Sequence, residues 1–575
     1  MTHDPWGDVR VEAERLVAAA EGKLGLPRTP PKFEEPPEGM GDLALPAFPY
    51  TKHARKAPPA VAQELAVAVP PSPWFARVEA AGPYVNFHVD EARLAGHALR
   101  AIAEHGDRYG FLPPNGKRLL LEHTSVNPTG PIHVGRARNS LIGDTLARVF
   151  RMAGYDVATE FLVNDIGRQM VLLSWGAKNV PDAELPPPER ERDDYRLVRN
   201  YQAANARAEA DPEVGREVER MMHRLENGDE ALTREVHGIA KRILAGIEET
   251  LAQLDIRFDS FFWESSLILG GKVGPVKERM LALPQVGEHE GSYFIDLAPY
   301  GVQGRNTKWF FVRKDGTSLY PTRDVAYHLD KFARCDEAIV VLGENHRLES
   351  TQLRIALELL DAGKDVEAVF YSYVSLPEGG MSTRRGKVVW VDDLIDEAVE
   401  RAYAEVDQRR PELAEEKKRE IAAFVGAGAL RYNIGRVQAE KPIVFRWEDA
   451  LNFEGDSAPF LQYAHARACG ILAKAGASAA PGDPSVLGHE RERKVVKLLA
   501  RLPSVVAACA ASRRVHPLAG YAYALAVEFQ RFYEACPVLT EEEPVRSARL
   551  ALVRGTRIAL GNALRGLGLA APEEM

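Results

Sequence analysis

The stretch Glu122-His-Thr-Ser-Val-Asn-Pro-Thr-Gly-Pro-Ile-His-Val-Gly135 predicts the fold of the largest part of this chain. It follows an apolar run, Arg118 to Glu122, that is typical of a buried strand, and it precedes a helical pattern from Arg138 to Met152. A strand, a glycine-containing loop and a helix favour nucleotide binding, because the glycine lets the backbone approach a phosphate and the helix start offers unpaired N–H groups. His133 could bond those phosphates and stabilise developing charge. The His-x-Gly pattern alone is a weak signal.

The surrounding pattern predicts a doubly wound α/β domain. Val157 to Val163 is typical of the next strand, and a parallel sheet built from such units binds ligands at the carboxyl ends of its strands. Residues from about Arg168 to Leu254 are instead largely charged and helical, which indicates an insertion and disfavours a continuous barrel. Further strands are predicted at Tyr293 to Leu297, Lys308 to Arg313, Ala338 to Leu342 and Val369 to Val374.

The two ends of the chain differ from its middle. Residues up to about Asp90 carry two helical patterns, a Pro-rich loop and an alternating run, Gly82 to Val89, which together indicate a small α+β domain. From about Asp392 the chain is almost wholly helical and predicts a bundle. Its helices are expected at Pro411 to Val437, Ala458 to Lys474, Glu490 to Ser512, Leu518 to Glu534 and Pro544 to Leu567. We therefore expect a multidomain α/β protein with units at 1–108, 109–390 (insertion at about 168–290), 391–440 and 441–575.

The composition is that of a soluble globular protein and excludes a basic nucleic-acid coat. The chain has 575 residues, a formal net charge of -9 at pH 7, 45% hydrophobic residues and 27% charged residues. RNA binding stays open, because a local positive track matters more than the total charge. One helical stretch holds seven basic residues, a pattern more often typical of a solvated helix face: Arg491, Arg493, Lys494, Lys497, Arg501, Arg513 and Arg514.

The four cysteines, Cys335, Cys469, Cys509 and Cys536, include no C-x-x-C pair. Neither a structural zinc site of the usual spacing nor a disulfide framework is therefore expected. The polar N-terminus does not resemble a secretion signal, and no apolar run approaches membrane-spanning length. These features favour a cytoplasmic protein with no membrane partner.

Residues upstream of His133 make the opening stretch much more specific. Glu122, Ser125 and Asn127 form the pattern E-x-x-S-x-N. With His133, the stretch resembles the first signature of class I aminoacyl-tRNA synthetases, and in particular that of the arginine enzymes. The resemblance implies that Ser125 and Asn127 hold the α-amino end of arginine, that Glu122 holds its guanidinium, and that His133 and Gly135 bind ATP.

A second element, Tyr320-Pro-Thr-Arg-Asp324, resembles the family's Y-x-T-R-D, whose tyrosine and aspartate face the guanidinium. The chemistry agrees, because a guanidinium carries five N–H donors and requires planar, bidentate acceptors. Such a site rejects lysine or citrulline, which would leave its acceptors unpaired. By themselves, Asp324 could be a helix cap and Tyr320 a core residue.

A third element is Val341-Leu-Gly-Glu-Asn-His346, which predicts a strand with polar residues at its carboxyl end. The family places there a side chain that contacts the aminoacyl-adenylate. His346 or Asn345 fills that position, with a register ambiguity of one residue.

The stretch Gly379-Gly-Met-Ser-Thr-Arg-Arg-Gly-Lys387 resembles the mobile K-M-S-K-S loop, whose lysine neutralises charge in the transition state. Gly380 and Thr383 replace its two lysines, and a lysine that compensates in some relatives is Gly130 here. An arginine, Arg136, also stands where the second histidine of the first signature is usual. Three arginines are candidates for supplying the missing positive charge: Arg136, Arg384 and Arg385. Beside His133 and Gly135, the residues assigned to ATP and the reaction are Arg136, Met381, Ser382, Arg384 and Arg385.

Both ends of the chain resemble the tRNA-binding domains of the arginine enzymes. Tyr84 and Asn86 match the positions that stack on and bond a base of the tRNA D-loop. Without the resemblance, they would be part of a core strand with one edge asparagine. The helix from Ala458 resembles the start of the anticodon-binding bundle, and the residues assigned there are Tyr463, Arg467 and Met575.

The resemblance covers Gly82 to Met575 and implies an arginyl-tRNA synthetase. Arginine and ATP, accompanied by Mg²⁺, would give arginyl-adenylate and pyrophosphate, and the arginyl group would pass to the 2′-hydroxyl of tRNA(Arg). The resemblance also implies that activation needs bound tRNA, and a monomer is expected. Three alternatives are another class I synthetase, a paralogue that binds tRNA without charging it, and a plain nucleotidyltransferase. The residues assigned to the guanidinium disfavour the other synthetase and the non-catalytic paralogue. The helical C-terminal part of the chain disfavours the nucleotidyltransferase.

Overall fold

The computed structural model describes residues 3–304, 307–376, 379–380, 383–384, 387–476 and 482–575, with the side chains of 376–388 not described. The first unit packs helices against a three-stranded antiparallel sheet of order β1-β3-β2. Its elements are α1 (Pro5–Leu24), β1 (Leu43–Pro46), α2 (Thr51–Ala54), α3 (Pro58–Ala68), β2 (Phe75–Ala81), β3 (Tyr84–Val89) and α4 (Glu91–His105). Asp4 begins α1 by accepting the N–H of Gly7, and Gly25 ends it in the left-handed conformation, at φ +64°. The predicted α+β character of this unit is confirmed.

The middle of the chain is built on a five-stranded parallel sheet of order β11-β10-β4-β5-β6. The elements in chain order are β4 (Arg118–Glu122), α5 (Val134–Met152), β5 (Asp156–Val163), α6 (Arg168–Asn179), α7 (Asp193–Ala210), α8 (Pro212–Glu226), α9 (Glu230–Gln253), β6 (Ser260–Trp263), α10 (Ser265–Leu269), α11 (Val273–Leu281), β7 (Val286–His289), β8 (Ser292–Asp296), β9 (Lys308–Val312), α12 (Tyr320–Arg334), β10 (Glu337–Gly343), α13 (Arg347–Leu359), β11 (Val366–Tyr371), β12 (Val374–Leu376), β13 (Gly379–Gly380), β14 (Thr383–Arg384) and β15 (Lys387–Val388). The predicted doubly wound domain with a helical insertion is confirmed, and β4 has the predicted bounds.

The structure adds two details to the predicted layout. The strands predicted near 293–297 and 308–313 do not extend the parallel sheet, because β8 and β9 join β7 in a separate antiparallel sheet. The reason is local: Glu290 and Gly291, with φ +51° and +81°, make a two-residue turn that reverses the chain. The predicted insertion at 168–290 also contains β6, an edge strand of the parallel sheet, so the unbroken helical part ends with α9.

The inserted helices are fixed to the helix that follows the parallel sheet, Val391–Arg409, which is α14. Its buried Asp392 accepts hydrogen bonds from Arg192 at 2.8 Å, Tyr195 at 2.9 Å and Thr250 at 2.9 Å. Buried acceptors of this kind are stable only when fully bonded. The network therefore holds α7 and α9 in a defined place beside the parallel sheet.

The last part of the chain is the predicted helical bundle. After α14 come α15 (Glu415–Gly435), β16 (Ile443–Val444), α16 (Trp447–Ala450), α17 (Ala458–Ala475), α18 (Glu490–Ser512), α19 (His516–Ala535) and α20 (Val545–Gly566). Arg138 of α5 joins the parallel-sheet domain to the segment that follows α15, since its buried guanidinium donates to the carbonyls of Ser372, Gln438 and Lys441.

The length of helix α18 contradicts the expectation that no apolar run approaches membrane-spanning length. Among the helices of the described residues, it is the one long and apolar enough by length and composition to cross a membrane. Half of its apolar window is buried in the protein, where it packs against α1, α4, α19 and α20. This is the environment of a bundle's core helix.

Candidate active site

A cleft of about 600 Å³ opens at the carboxyl ends of β4, β5 and β10, beside the first turn of α5. Ligands of doubly wound sheets bind at this edge. Seven of the residues predicted from the sequence line the cleft, namely Glu122, Ser125, Asn127, His133, Arg136, Tyr320 and His346. Three separate segments of sequence therefore contribute to one site.

The loop after β4 has an unusual backbone. Thr124 and Ser125 have φ +68° and +39°, values in the left-handed region that non-glycine residues rarely adopt. Asn139 of α5 stabilises this conformation by accepting the N–H of Thr124 at 2.6 Å. The Ser125 hydroxyl accepts the N–H of Leu162 at 3.0 Å and donates to Glu122 Oε1 at 3.1 Å. The loop thus ties β4 to β5 at the edge of the cleft.

His133 stands at the start of α5 and fixes the first turn of that helix. Its Nδ1 accepts the N–H of Gly135 at 3.0 Å, so the neutral ring carries its proton on Nε2. A Cβ at Gly135 would lie 3.0 Å from that nitrogen, which explains the glycine. Arg136 follows on the exposed side of the turn and lines the cleft. The helix start therefore presents an N–H donor and a cation to an anion.

Gly130, the position at which some relatives carry a lysine, is closely covered by the inserted helices. A Cβ at Gly130 would lie 2.6 Å from Cγ2 of Val198 on α7. Val198, Tyr201 and Gln202 of the same helix line the cleft. The insertion therefore forms one wall of the site, a role that the sequence reading did not assign to it.

Helix α12 supplies the acidic end of the site. Tyr320 is 48% exposed and lines the cleft, and Asp324 follows one turn later. The pKa of Tyr320 is raised well above its usual value, mainly by the negative charge of Asp324 and secondly by desolvation. The phenol is therefore protonated. Asp324 itself does not line the cleft but lies 3.2 Å from Nδ1 of His328.

A buried lysine on α12 pairs with the glutamate of the first signature. Lys331 Nζ lies 2.6 Å from Glu122 Oε2, and the lysine side chain is fully buried. Burial raises the pKa of Glu122, but the charges of Lys331 and His328 outweigh it and lower that pKa below its usual value. Glu122 is therefore a carboxylate whose charge is already offset. Lys331 was missed from the sequence, although it lies two helical turns after Asp324.

Other polar contacts complete the rim of the cleft. The Asn127 amide donates to Gln169 Oε1 at 2.7 Å. His346 lines the cleft whereas Asn345 is exposed outside its lining, which favours His346 in the register left open by the sequence. Glu264, which directly follows β6, is a buried carboxylate outside the lining of the cleft, and Arg323 donates to its Oε1 at 2.7 Å.

The segment after the predicted mobile loop contacts the first signature directly. Val134 donates its N–H to the carbonyl of Val389, and Val391 donates to Ile132. The Trp390 ring meets His133 edge-on with centroids 6.5 Å apart, and its indole N–H donates to Glu189 of the insertion at 2.8 Å. The loop residues Met381, Ser382 and Arg385, and the side chain of Arg384, lie outside the described residues.

The residues predicted at the C-terminal tRNA end lie together. Tyr463, Arg467 and Met575 line one groove of about 680 Å³, together with Phe453 and Phe460. The Arg467 guanidinium lies 4.7 Å from the Tyr463 ring centroid, and Tyr463 is 45% exposed. An exposed aromatic beside a guanidinium is suited to an unstacked base.

The N-terminal tRNA residues are placed differently from each other. Tyr84 is half-buried and meets Phe48 edge-on at 6.0 Å, whereas Asn86 is 3% exposed. Asn86 can therefore contact a nucleotide only if the residues that cover it move away.

The seven basic residues in and directly after α18 do not form a free positive track. Each of the seven between Arg491 and Arg514 lies within ion-pair distance of an acidic side chain. Several of these acids belong to the first domain, including Glu35, Glu38 and Asp42.

Among the described residues, no group of three or more His, Cys, Asp or Glu side chains could hold a metal ion.

Three family models match successive parts of the chain. They are the Arginyl tRNA synthetase N terminal domain over residues 12–89, the catalytic domain of tRNA synthetases class I (R) over 98–447, and the DALR anticodon binding domain over 461–575. The chain belongs to the class I arginyl-tRNA synthetase family. Curated members of this family include an arginine–tRNA ligase of Methanocella arvoryzae, 41% identical over 98% of this chain and 99% of that protein. Another, of Methanothermobacter thermautotrophicus, is 43% identical over 99% of each.

Solved arginyl-tRNA synthetases have the same architecture. The Thermus thermophilus enzyme matches with a TM-score of 0.84 and 29% identity, over 98% of this chain and all of that one. The Plasmodium falciparum enzyme matches with a TM-score of 0.81 over 98% of each chain, and at 16% identity it shows the fold alone. The predicted fold class and family are therefore confirmed.

Proposed function

We propose that this member of the arginyl-tRNA synthetase family ligates L-arginine to tRNA(Arg) with ATP, through arginyl-adenylate, and releases AMP and pyrophosphate. Family membership gives the reaction class, that of a class I aminoacyl-tRNA ligase. The observation that carries the proposal is the cleft in which Glu122, Asn127, His133 and Tyr320 meet at the carboxyl ends of parallel strands. A protein that only bound tRNA would have no use for such a cleft.

Charge balance supports arginine as the amino acid. Glu122 and Asp324 supply two negative charges, and Lys331 cancels one of them. The remaining single negative charge matches the single positive charge of a guanidinium. Tyr320 and the carboxylates then offer the acceptors for its N–H groups. Ser125 and Asn127 are assigned to the α-amino end, and His346 to the adenylate.

The start of α5 is assigned to ATP. The arginine carboxylate oxygen attacks the α-phosphorus in line, and the bond to pyrophosphate breaks with its electron pair leaving on the pyrophosphate oxygen. His133 and Arg136 stabilise the negative charge that develops, with Gly135 allowing the phosphate to approach. The described lining holds too few neighbouring carboxylates for a dedicated cage, so Mg²⁺ would be held by the ATP phosphates, whose charge it offsets. Met381, Ser382, Arg384 and Arg385 are assigned to the closing loop.

The two ends of the chain are assigned to tRNA. The unit 1–108 carries Tyr84 and Asn86 for the D-loop, and 441–575 carries the groove of Tyr463, Arg467 and Met575 for the anticodon. Residues 109–390 are assigned to catalysis and 391–440 to the connection between them. The 2′-hydroxyl of the terminal ribose then attacks the adenylate carbonyl, and AMP leaves. We assign the enzyme to the cytoplasm as a monomer.

Aminoacylation with radiolabelled amino acids tests this proposal. The enzyme with ATP, Mg²⁺ and bulk tRNA should attach labelled arginine to acid-precipitable tRNA, and labelled lysine should not be attached. Binding of tRNA without any charging would support the non-catalytic paralogue instead.

A further inference from the structure

Residues 34–42 form a strap between the first domain and α18. The strap contains two consecutive prolines and two glycines in the left-handed region, Gly39 at φ +84° and Gly41 at φ +114°. It is joined to the sheet where the N–H of Asp42 donates to the carbonyl of Phe87 at 2.8 Å. The strap is thus an irregular segment that lies directly on β3.

Three ion pairs join the strap to α18. Lys494 Nζ lies 2.6 Å from Glu38, Arg501 lies 2.5 Å from Glu35, and Lys497 lies 2.7 Å from Asp42. The Glu35 and Glu38 side chains are 71% and 84% exposed. Ion pairs this exposed contribute little to stability and weaken as salt increases. A stronger polyanion could therefore replace the carboxylates of Glu35 and Glu38, whereas Asp42 is only 9% exposed and is displaced only if the strap itself moves.

A buried and unbonded amide lies beneath the strap. Asn86 on β3 is 3% exposed, and its Oδ1 has no hydrogen-bond partner among the described residues. A Cβ at Gly41 would lie 3.4 Å from Asn86 Cβ, so the strap covers this side chain closely. Buried polar groups are normally bonded, and an unbonded one requires an explanation such as a missing ligand. Tyr84, two residues earlier, is on the same face of the strand and is half-buried.

A cavity of about 810 Å³ is lined by residues of the strap, α18 and α19. Its lining includes Glu38, Gly41, Lys494, Lys497 and Arg501. The lining also holds Arg531 and the carboxylates of Glu35, Asp42, Glu490 and Glu528, so the closed cavity carries five acidic and four basic side chains. Displacing the three carboxylates of the strap would leave four cations facing two acids, which is a local positive potential on a protein whose net charge is -9. The space, the cations and the unbonded amide are therefore adjacent.

We propose that tRNA binding displaces the strap: RNA phosphates take over Lys494, Lys497 and Arg501, and the opened strap uncovers Asn86 for a nucleotide base. This inference rests on the proposed function, because it takes the RNA to be the tRNA substrate. Phosphates suit the lysine and arginine side chains, and an amide beside an aromatic ring suits an unstacked base. In the closed form the strap occupies both positions with its own carboxylates and backbone.

Two double variants that break the same ion pairs separate this mechanism from a purely structural contact. Glu35→Gln with Glu38→Gln removes the competing carboxylates, and Lys494→Gln with Arg501→Gln removes the cations. We expect the first pair to tighten tRNA binding by about three- to tenfold at ~50 mM salt, and the second to weaken it by a similar factor. The readout is the Kd for labelled tRNA in the full-length protein at ~50 and ~200 mM salt.

Controls make each outcome decisive. Glu64→Gln, which breaks an exposed ion pair with Lys56 within the first domain, should leave the Kd unchanged. Thermal unfolding of each variant verifies that it is folded. Equal shifts in the same direction for both double variants, or no shift in either, would overturn the proposal. Competition by a short polyglutamate peptide as strong as that by RNA would also overturn it, in favour of an acidic protein partner. Wild-type aminoacylation, measured separately, tests the proposed function itself.

Discussion

Lys331 Nζ donates to Glu122 Oε2 at 2.6 Å, and both side chains are buried, with Glu122 at the lining of the cleft. The lysine comes from α12, the helix that also carries Tyr320 and Asp324, and the glutamate ends the central strand β4. The pair therefore connects the two segments assigned to arginine recognition and sets the net charge of that end of the site.

Replacing Lys331 with Met should destabilise the protein strongly. It would leave Glu122 buried without its cation, and breaking a buried ion pair costs about 3–5 kcal/mol. The double variant Lys331→Met with Glu122→Gln should recover most of that loss, because neither charge remains. Urea unfolding measures both free energies. An unchanged stability in the single variant would contradict the importance of the pair, and a double variant with wild-type arginine KM would contradict the role of Glu122.

Replacing Asp324 with Ala should raise the arginine KM while sparing ATP. The carboxylate is assigned a charged hydrogen bond to the guanidinium, and losing such a bond costs about 1.5–3 kcal/mol, or roughly 10- to 100-fold. Steady-state aminoacylation at varied arginine and varied ATP separates the two constants. Asp330→Ala is the control on the same helix, since Asp330 pairs with Lys272 and Arg334, whereas the Asp324 carboxylate is close enough to Tyr320 of the cleft to raise its pKa. An arginine KM equal to wild type in Asp324→Ala would rule out the assigned role.

Replacing Gly130 with Lys, the residue of some relatives, should lower activity instead of raising it. The new Cβ would meet Cγ2 of Val198 at 2.6 Å, so α7 would have to move away from the cleft. Adding Val198→Ala should restore part of the loss by opening space. The rate of arginine-dependent ATP–pyrophosphate exchange measures both variants. A single variant faster than wild type would show that the wall of the site is not rigid at this point.

Replacing Tyr463 with Ala should weaken tRNA binding without affecting the small substrates. The exposed ring beside Arg467 is assigned to an anticodon base, and stacking on an aromatic side chain contributes about 1–3 kcal/mol per base. The tRNA KM should therefore rise by about 5-fold or more, with the KM values for arginine and ATP unchanged. Tyr403→Ala is a suitable control, since Tyr403 lies on α14 outside the described lining of the groove. An equal rise of the tRNA KM in the control would show that the effect comes from a general loss of stability.

Much of the fold followed from local patterns, because they carry their own physical signals. The apolar run at 118–122 and the helix at 490–512 have the predicted bounds. The antiparallel sheet of β7, β8 and β9 was not anticipated, since strand patterns do not reveal which sheet a strand joins. The one local feature that indicates the antiparallel pairing of β7 with β8 is the two-residue turn at Glu290 and Gly291.

The candidate site was predicted only where residue spacing carries the chemistry. Glu122, Tyr320 and His346 could be identified from their motifs and meet in the cleft. Lys331 and Val198 could not, because their roles depend on packing between segments that are far apart in sequence. The sequence left RNA binding open for the basic residues of α18. In the structure, four of them pair with acids of the first domain, which a local count of charges cannot reveal: Arg493, Lys494, Lys497 and Arg501.

ATP–pyrophosphate exchange with each amino acid in turn, with and without bulk tRNA, tests the central claim most directly. This measurement reports formation of the adenylate in the cleft, independently of transfer to tRNA. We predict exchange with arginine, dependent on tRNA, and none with lysine or citrulline. The absence of arginine-dependent exchange in the presence of tRNA would contradict the assignment of this cleft to arginine activation.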